Sequence, residues 1–178
     1  MFNPVLIGRL ATVVSAFWLV ACGQQAQRLD HMSELMMPAA AFAGVSHVEV
    51  YGSSDDLAGE TGSEAVGDAL KRMRLAGSAQ YRYEAIDPAG TTFRVKVDLF
   101  DSEAQAEAAF RGRHLPEALA MTEPLALGDD GFIVEAIYAG VRTGRVAVEI
   151  RAVPPDSRLR AFTRAYATFL SGIEAGER

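Results

Sequence analysis

From residue 45 onward the apolar positions recur at two different periods, and the switches between them divide the chain into elements. Val48 and Val50 alternate with His47, Glu49 and Tyr51, which predicts a half-buried strand over 45–51. Residues 52–62, rich in Gly, Ser and Asp, read as a loop. Ser63 then caps a helix running to about Arg74, with Val66, Leu70 and Met73 on one face and Gly77 near its stop, although Gly67 weakens the pattern. Period 2 returns at Tyr81 and Tyr83, which alternate with Arg82 and Glu84. After the turn chemistry of Asp87-Pro88-Ala89-Gly90 it continues as Phe93, Val95, Val97 and Leu99 against Arg94, Lys96 and Asp98. This predicts a β-hairpin with one buried face.

A helix capped by Asp101 or Ser102 is expected over 103–113, with Ala104, Ala108 and Leu115 inward and Glu107 and Arg111 as an i, i+4 ion pair. Pro116 and Pro124 bracket a loop ending in Gly128-Asp129-Asp130-Gly131. A second hairpin is predicted from Phe132–Val141, a turn at Arg142-Thr143-Gly144, and Arg145–Val153, stopped by Pro154-Pro155. Asp156 or Ser157 caps the last helix, where Leu159, Phe162, Tyr166, Phe169, Leu170 and Ile173 form an apolar stripe over more than three turns. The expected fold is therefore α+β, an antiparallel sheet of about five strands with helices packed mainly on one face.

The N-terminal third reads differently. Arg9 is the only charged side chain before an apolar run from Leu10 to Ala21, which is too short for the roughly 20 residues of a spanning helix but suits a secretion signal. The run closes on Leu19-Val20-Ala21-Cys22, and Cys22 is the only cysteine. This tetrad resembles the lipobox of bacterial lipoproteins. The resemblance implies that Cys22 receives a diacylglyceryl group, that a peptidase cuts before it, and that the protein is held by its acyl chains. Gly23, where an Asp would favour inner-membrane retention in Gram-negative members, implies the periplasmic face of the outer membrane. The expected organisation is a signal peptide over 1–21, a lipidated tether over 22–44 and one ectodomain over 45–178. Within the tether Leu29, Met32, Leu35 and Met36 fall at helical spacing, a turn expected to pack back on the domain. The hairpin and helix order, with Phe100-Asp101-Ser102 before an Ala-rich helix and Leu127-Gly128-Asp129 before a strand, loosely resembles small extracytoplasmic sensor-like or accessory domains of lipoproteins, and transfers no functional residue.

Charge and residue chemistry narrow the function classes. The net charge is −6, and loss of the leader with Arg9 makes the remaining chain one unit more negative, a balance opposed to nucleic-acid binding. Of the three histidines, His31 lies in the tether and His114 at a helix end, while His47 shares a strand face with Glu49 as half a metal site at most. No Gly-x-Ser-x-Gly elbow, Walker loop, EF-hand loop or dinucleotide fingerprint occurs. Asp55, Asp56, Asp129 and Asp130 sit in turn-like sequence where Asp serves local hydrogen bonds. No catalytic residue, metal or cofactor is expected. One basic cluster stands out, Arg158, Arg160 and Arg164, in the first half of a helix where positive charge opposes the dipole. It is the candidate patch for an anionic partner. The expected function is a lipid-anchored binding or scaffolding module with an envelope protein as partner, which an open sheet face or a sizeable apolar patch would mark; the second reading is an envelope enzyme, which a pocket with converging polar groups and shifted pKa values would mark.

Replacement of Cys22 by Ala removes the only acylatable thiol. Loss of palmitate labelling and release from membranes on fractionation are the expected outcome, and label retained by the variant refutes the anchor.

Overall fold

The computed structural model describes residues 32–54, 63–87, 90–114 and 123–175; Cys22, Leu29, His31, Asp55, Asp56 and Leu115 lie outside them. The described strands are β1 (Val45–Ser53), β2 (Leu75–Ala85), β3 (Thr92–Phe100), β4 (Glu123–Pro124), β5 (Asp130–Val134), β6 (Tyr138–Thr143) and β7 (Val146–Val153). The α-helices are α1 (Ser63–Met73), α2 (Glu103–His114) and α3 (Leu159–Glu174), and short 3-10 turns occupy Met32–Leu35 and Ala39–Ala41. All seven strands join one antiparallel sheet in the order β1-β2-β3-β7-β6-β5-β4. Two antiparallel meanders are thus fused along β3 and β7.

The α+β class and the antiparallel sheet agree with the sequence pattern, while the strand count rises from about five to seven. The expected strand Phe132–Val141 is two strands, β5 and β6, separated by Glu135-Ala136-Ile137. Glu135 takes the left-handed conformation there, φ 46°, without any of the residues that usually advertise such a turn. The turn is held from outside: Ala152 N–H donates to Ile137 O at 3.0 Å and Asp156 N–H to Ala136 O at 2.9 Å. Gly77 does not end a helix but lies within β2, where a Cβ would stand 2.5 Å from Met32 Sδ, so the glycine is a notch for that methionine.

Alternation along the strands separates two cores. On one face Tyr81 and Tyr83 of β2, Phe93, Val95 and Val97 of β3, and Val148 and Ile150 of β7 meet Leu159, Phe162, Tyr166 and Leu170 of α3. Phe162 sits at the hub, stacked on Phe93 at 4.4 Å and edge-on to Tyr83 at 5.1 Å and Phe42 at 5.3 Å. On the opposite face, at one end of the sheet, Leu75, Phe100, Phe132 and Ala147 are covered by Ala106 and Phe110 of α2, with Leu70 of α1 alongside. Helices therefore lie on both faces, where packing mainly on one face was expected. A bulge between Leu75 and Gly77 turns Leu75 to the second face, and period 2 carries Phe100 there also. Within α2 the inward residues are Ala106 and Phe110, and Ala104 and Ala108 are exposed, one step out of phase with the expected stripe. On α1, Leu70 packs inward but Met73 is exposed. Ser102 caps α2 as expected, its Oγ accepting from Gln105 N–H at 3.3 Å, and Glu107 pairs with Arg111 at 2.9 Å.

The segment 32–44, assigned to the tether, is part of the main core. Met32, Leu35 and Met37 are all at most 3% exposed. Three tyrosines hold its backbone: the hydroxyl of Tyr81 donates to Met32 O, Tyr83 to Met37 O at 3.0 Å, and Tyr166 to Leu35 O at 2.6 Å. Burial pushes the Tyr83 and Tyr166 hydroxyls far above the ordinary phenol range, so both remain donors.

Removing the hub ring with Phe162→Ala is expected to cost about 3–5 kcal/mol, and Phe169→Ala to fall toward the lower end of that range. Tyr166→Phe leaves Leu35 O buried without its donor and is expected to cost about 1–3 kcal/mol. Urea unfolding measures all three; midpoints unchanged within error contradict the core assignment.

Candidate functional site

The face opposite the main core is only half covered. Beyond the α2 cluster, the outward positions of β1, β2, β3 and β7 carry polar side chains, and among the described residues no helix lies over them. They shape a concavity of about 310 Å³ lined by Tyr51, Gln80, Arg82, Arg94, Lys96, Glu149 and Arg151 over Tyr81 and Val95. Strand register explains the convergence. Glu49 stands opposite Arg82, Arg82 opposite Arg94, Arg94 opposite Arg151, and Arg151 opposite Tyr138. One transverse row across five strands thus holds three neighbouring arginines.

Directly opposed like charges destabilise a sheet by about 0.2–1 kcal/mol per pair, and this row has two such pairs. Its ends are compensated. The Nη2 of Arg82 lies 2.6 Å from a Glu49 carboxylate oxygen and 3.7 Å from Glu84, while its Nε is buried without an acceptor. Arg151 lies over the Tyr138 ring at 5.4 Å. Arg94, in the middle and exposed, makes no ion pair among the described residues. In the adjacent row Lys96 pairs with the buried carboxylate of Asp98 at 2.8 Å, and Glu149 stands opposite Lys96. Such a set of guanidiniums, an ammonium, one carboxylate and one phenol can hold an anionic group by charge and by the planar fork of arginine.

The arginines singled out in the sequence are placed otherwise. Arg158 is clamped on Asp156, with Nη2 at 2.6 Å and Nε at 3.0 Å from its oxygens, and its head lies 6.0 Å from the Phe93 ring centre. Arg160 pairs with Glu123. Arg164 is exposed on a shallow apolar groove between Ala41 and α3 and makes no ion pair among the described residues. Two of the three charges are thus locally neutralised, and the trio is no cluster of free cations. Asp129 and Asp130 serve hydrogen bonds as expected: both bind Arg142, at 3.1 Å and 2.8 Å, fastening the start of β5 to the β6–β7 hairpin. Asp129 also accepts from Gly144 N–H at 2.7 Å. His47 is exposed on β1, and among the described residues no three His, Cys, Asp or Glu side chains gather as a metal site.

The arginine row escaped the sequence reading for a definable reason. Arg82 and Arg94 were legible as outward residues of one hairpin, and its turn nearly fixes their pairing. Arg151 joins them only through the β3–β7 pairing, more than fifty residues apart in sequence, which periodicity does not encode. Comparison with protein-family models, curated proteins and solved structures finds no match.

One electrostatic feature at the start of α3 carries a pH signature. The Arg158 side chain bonded to Asp156, aided by the Arg158 N–H at 2.8 Å, holds the Asp156 carboxyl below its ordinary range. Its stabilisation is then present above the unfolded pKa, near 4, and is lost as pH falls through the lower folded value. Asp156→Asn is expected to lose about 1.5–3 kcal/mol at pH 7. The gap to wild type should close in acid, and a gap independent of pH contradicts the assignment.

Proposed function

We propose that this chain is a lipid-anchored cell-envelope protein whose ectodomain is a binding module, taking its ligand on the half of the sheet that no helix covers. The observation that carries the reading is the open sheet face itself, a polar surface of four strands that holds a concavity of about 310 Å³, within the range of small-ligand sites. Antiparallel sheets commonly leave one face solvated and polar; here that face sets three like charges side by side in register. The anchor rests on Leu19-Val20-Ala21-Cys22. Among the described residues no helix is long and apolar enough to cross a membrane, and the acyl attachment is read from the tetrad alone.

A photoreactive phenylalanine placed at Gln80, on the open face, should form a specific adduct in intact cells, detected by mass spectrometry. The same residue at exposed Ser157, at the start of α3, is the control. Equal labelling from both positions, or none from Gln80, removes the open face as the binding surface.

A further inference from the structure

We propose that the arginine row of the open face binds the phosphate group of a small soluble phosphomonoester. The proposal rests on reading that face as the ligand surface and names the chemistry it takes.

The choice of ligand follows from what the row lacks. Arg94 is exposed and unpaired among the described residues, with Arg82 and Arg151 directly beside it on neighbouring strands. Directly opposed residues have Cβ atoms about 4.5–5.5 Å apart, so the two flanking arginines, whose heads rest on Glu49 and over the Tyr138 ring, are rooted close enough to turn onto a compact anion held by Arg94. A carboxylate offers one charge and two oxygens, enough for a single fork. A phosphomonoester carries roughly −1.5 to −2 at neutral pH and three terminal oxygens, so Arg94 and a flanking arginine can engage it together.

Neighbouring charges limit the ligand to one such group. Glu49 and Glu84 lie against Arg82, Asp98 against Lys96, and Glu149 stands across from Lys96. These carboxylates repel a polyanion laid along the face and a flat anionic bilayer pressed against it. The concavity accommodates a phosphate with a short organic group, and Tyr51, 72% exposed at its rim, offers a ring face to that group.

The test is titration of the full chain with glycerol phosphate and phenyl phosphate by calorimetry and amide chemical shifts. Sulfate, acetate and vesicles containing phosphatidylglycerol serve as comparison ligands. Saturable binding of both esters, with shifts centred on residues 80–82, 94–96 and 149–151, is the expected result. Arg94→Gln should weaken it at least tenfold while leaving the unfolding midpoint equal or higher, because a repelled charge is removed. Arg94→Lys should recover only part of the affinity, since it restores the charge without the fork. Wild-type affinity should fall with salt. No saturable ester binding at millimolar concentration, undiminished binding by Arg94→Gln, or binding to vesicles alone overturns the proposal. If the Gln80 probe forms its adduct while the esters fail, the open face stands and only the phosphate assignment falls; if both fail, both readings fall.

Discussion

Three phenolic hydroxyls determine whether this fold has a sealed main core. Tyr81, Tyr83 and Tyr166 come from a strand and a helix far apart in sequence, yet all three end on carbonyls of one short N-terminal segment. Such irregular backbone cannot satisfy its own carbonyls as a helix does, and burying them bare is costly. The tyrosines answer that cost and bring large rings into the same layer. With those bonds made, Met32, Leu35 and Met37 close the sheet face that α3 alone leaves open. A wider helix layer would have made the segment dispensable; here the sheet carries one long helix on this side and the strap completes it.

The second face obeys a different constraint. Phe100, Phe132 and Ala147 at one end demand a cover, and α2 supplies it. Gly140 takes part because its missing Cβ leaves room for the Phe132 ring, which lies against it. The other end is mostly polar, among the described residues no helix lies over it, and the charged row stays accessible. Coverage and exposure on one sheet thus follow from where its alternate residues change from apolar to charged.

Much of this was legible in the chain. The hairpin of β2 and β3, the cap at Ser102, the Glu107–Arg111 pair and the stripe of α3 follow from local spacing, and local spacing is what a single sequence encodes. Errors fell where tertiary contacts overrode local signals. The Glu135 turn is imposed by bonds from β7 and the loop beyond it, the bulge beside Gly77 moves Leu75 to the other face, and the phase of α2 is chosen by Phe110 meeting Phe132. The arginines around the start of α3 oppose its dipole, but Asp156 meets Arg158 just before the helix and Glu123 meets Arg160 in its first turn. The arginine row was invisible for the converse reason: each member is an ordinary outward residue, and only the pairing of β3 with β7 makes three of them neighbours.

The strap also has a mechanical meaning. If the chain upstream of Met32 is tethered, any drag on the domain reaches it first at the Tyr81 contact and the Gly77 notch, then at Leu35, then at Met37. Such loading peels contacts one after another instead of shearing them together, and each hydrogen bond resists with only about 1 kcal/mol. The strap precedes β1 in the chain, so it meets such a load before the edge strand does. Because it lies on the face opposite the arginine row, the first mechanical failure opens the core side and leaves the concavity in place.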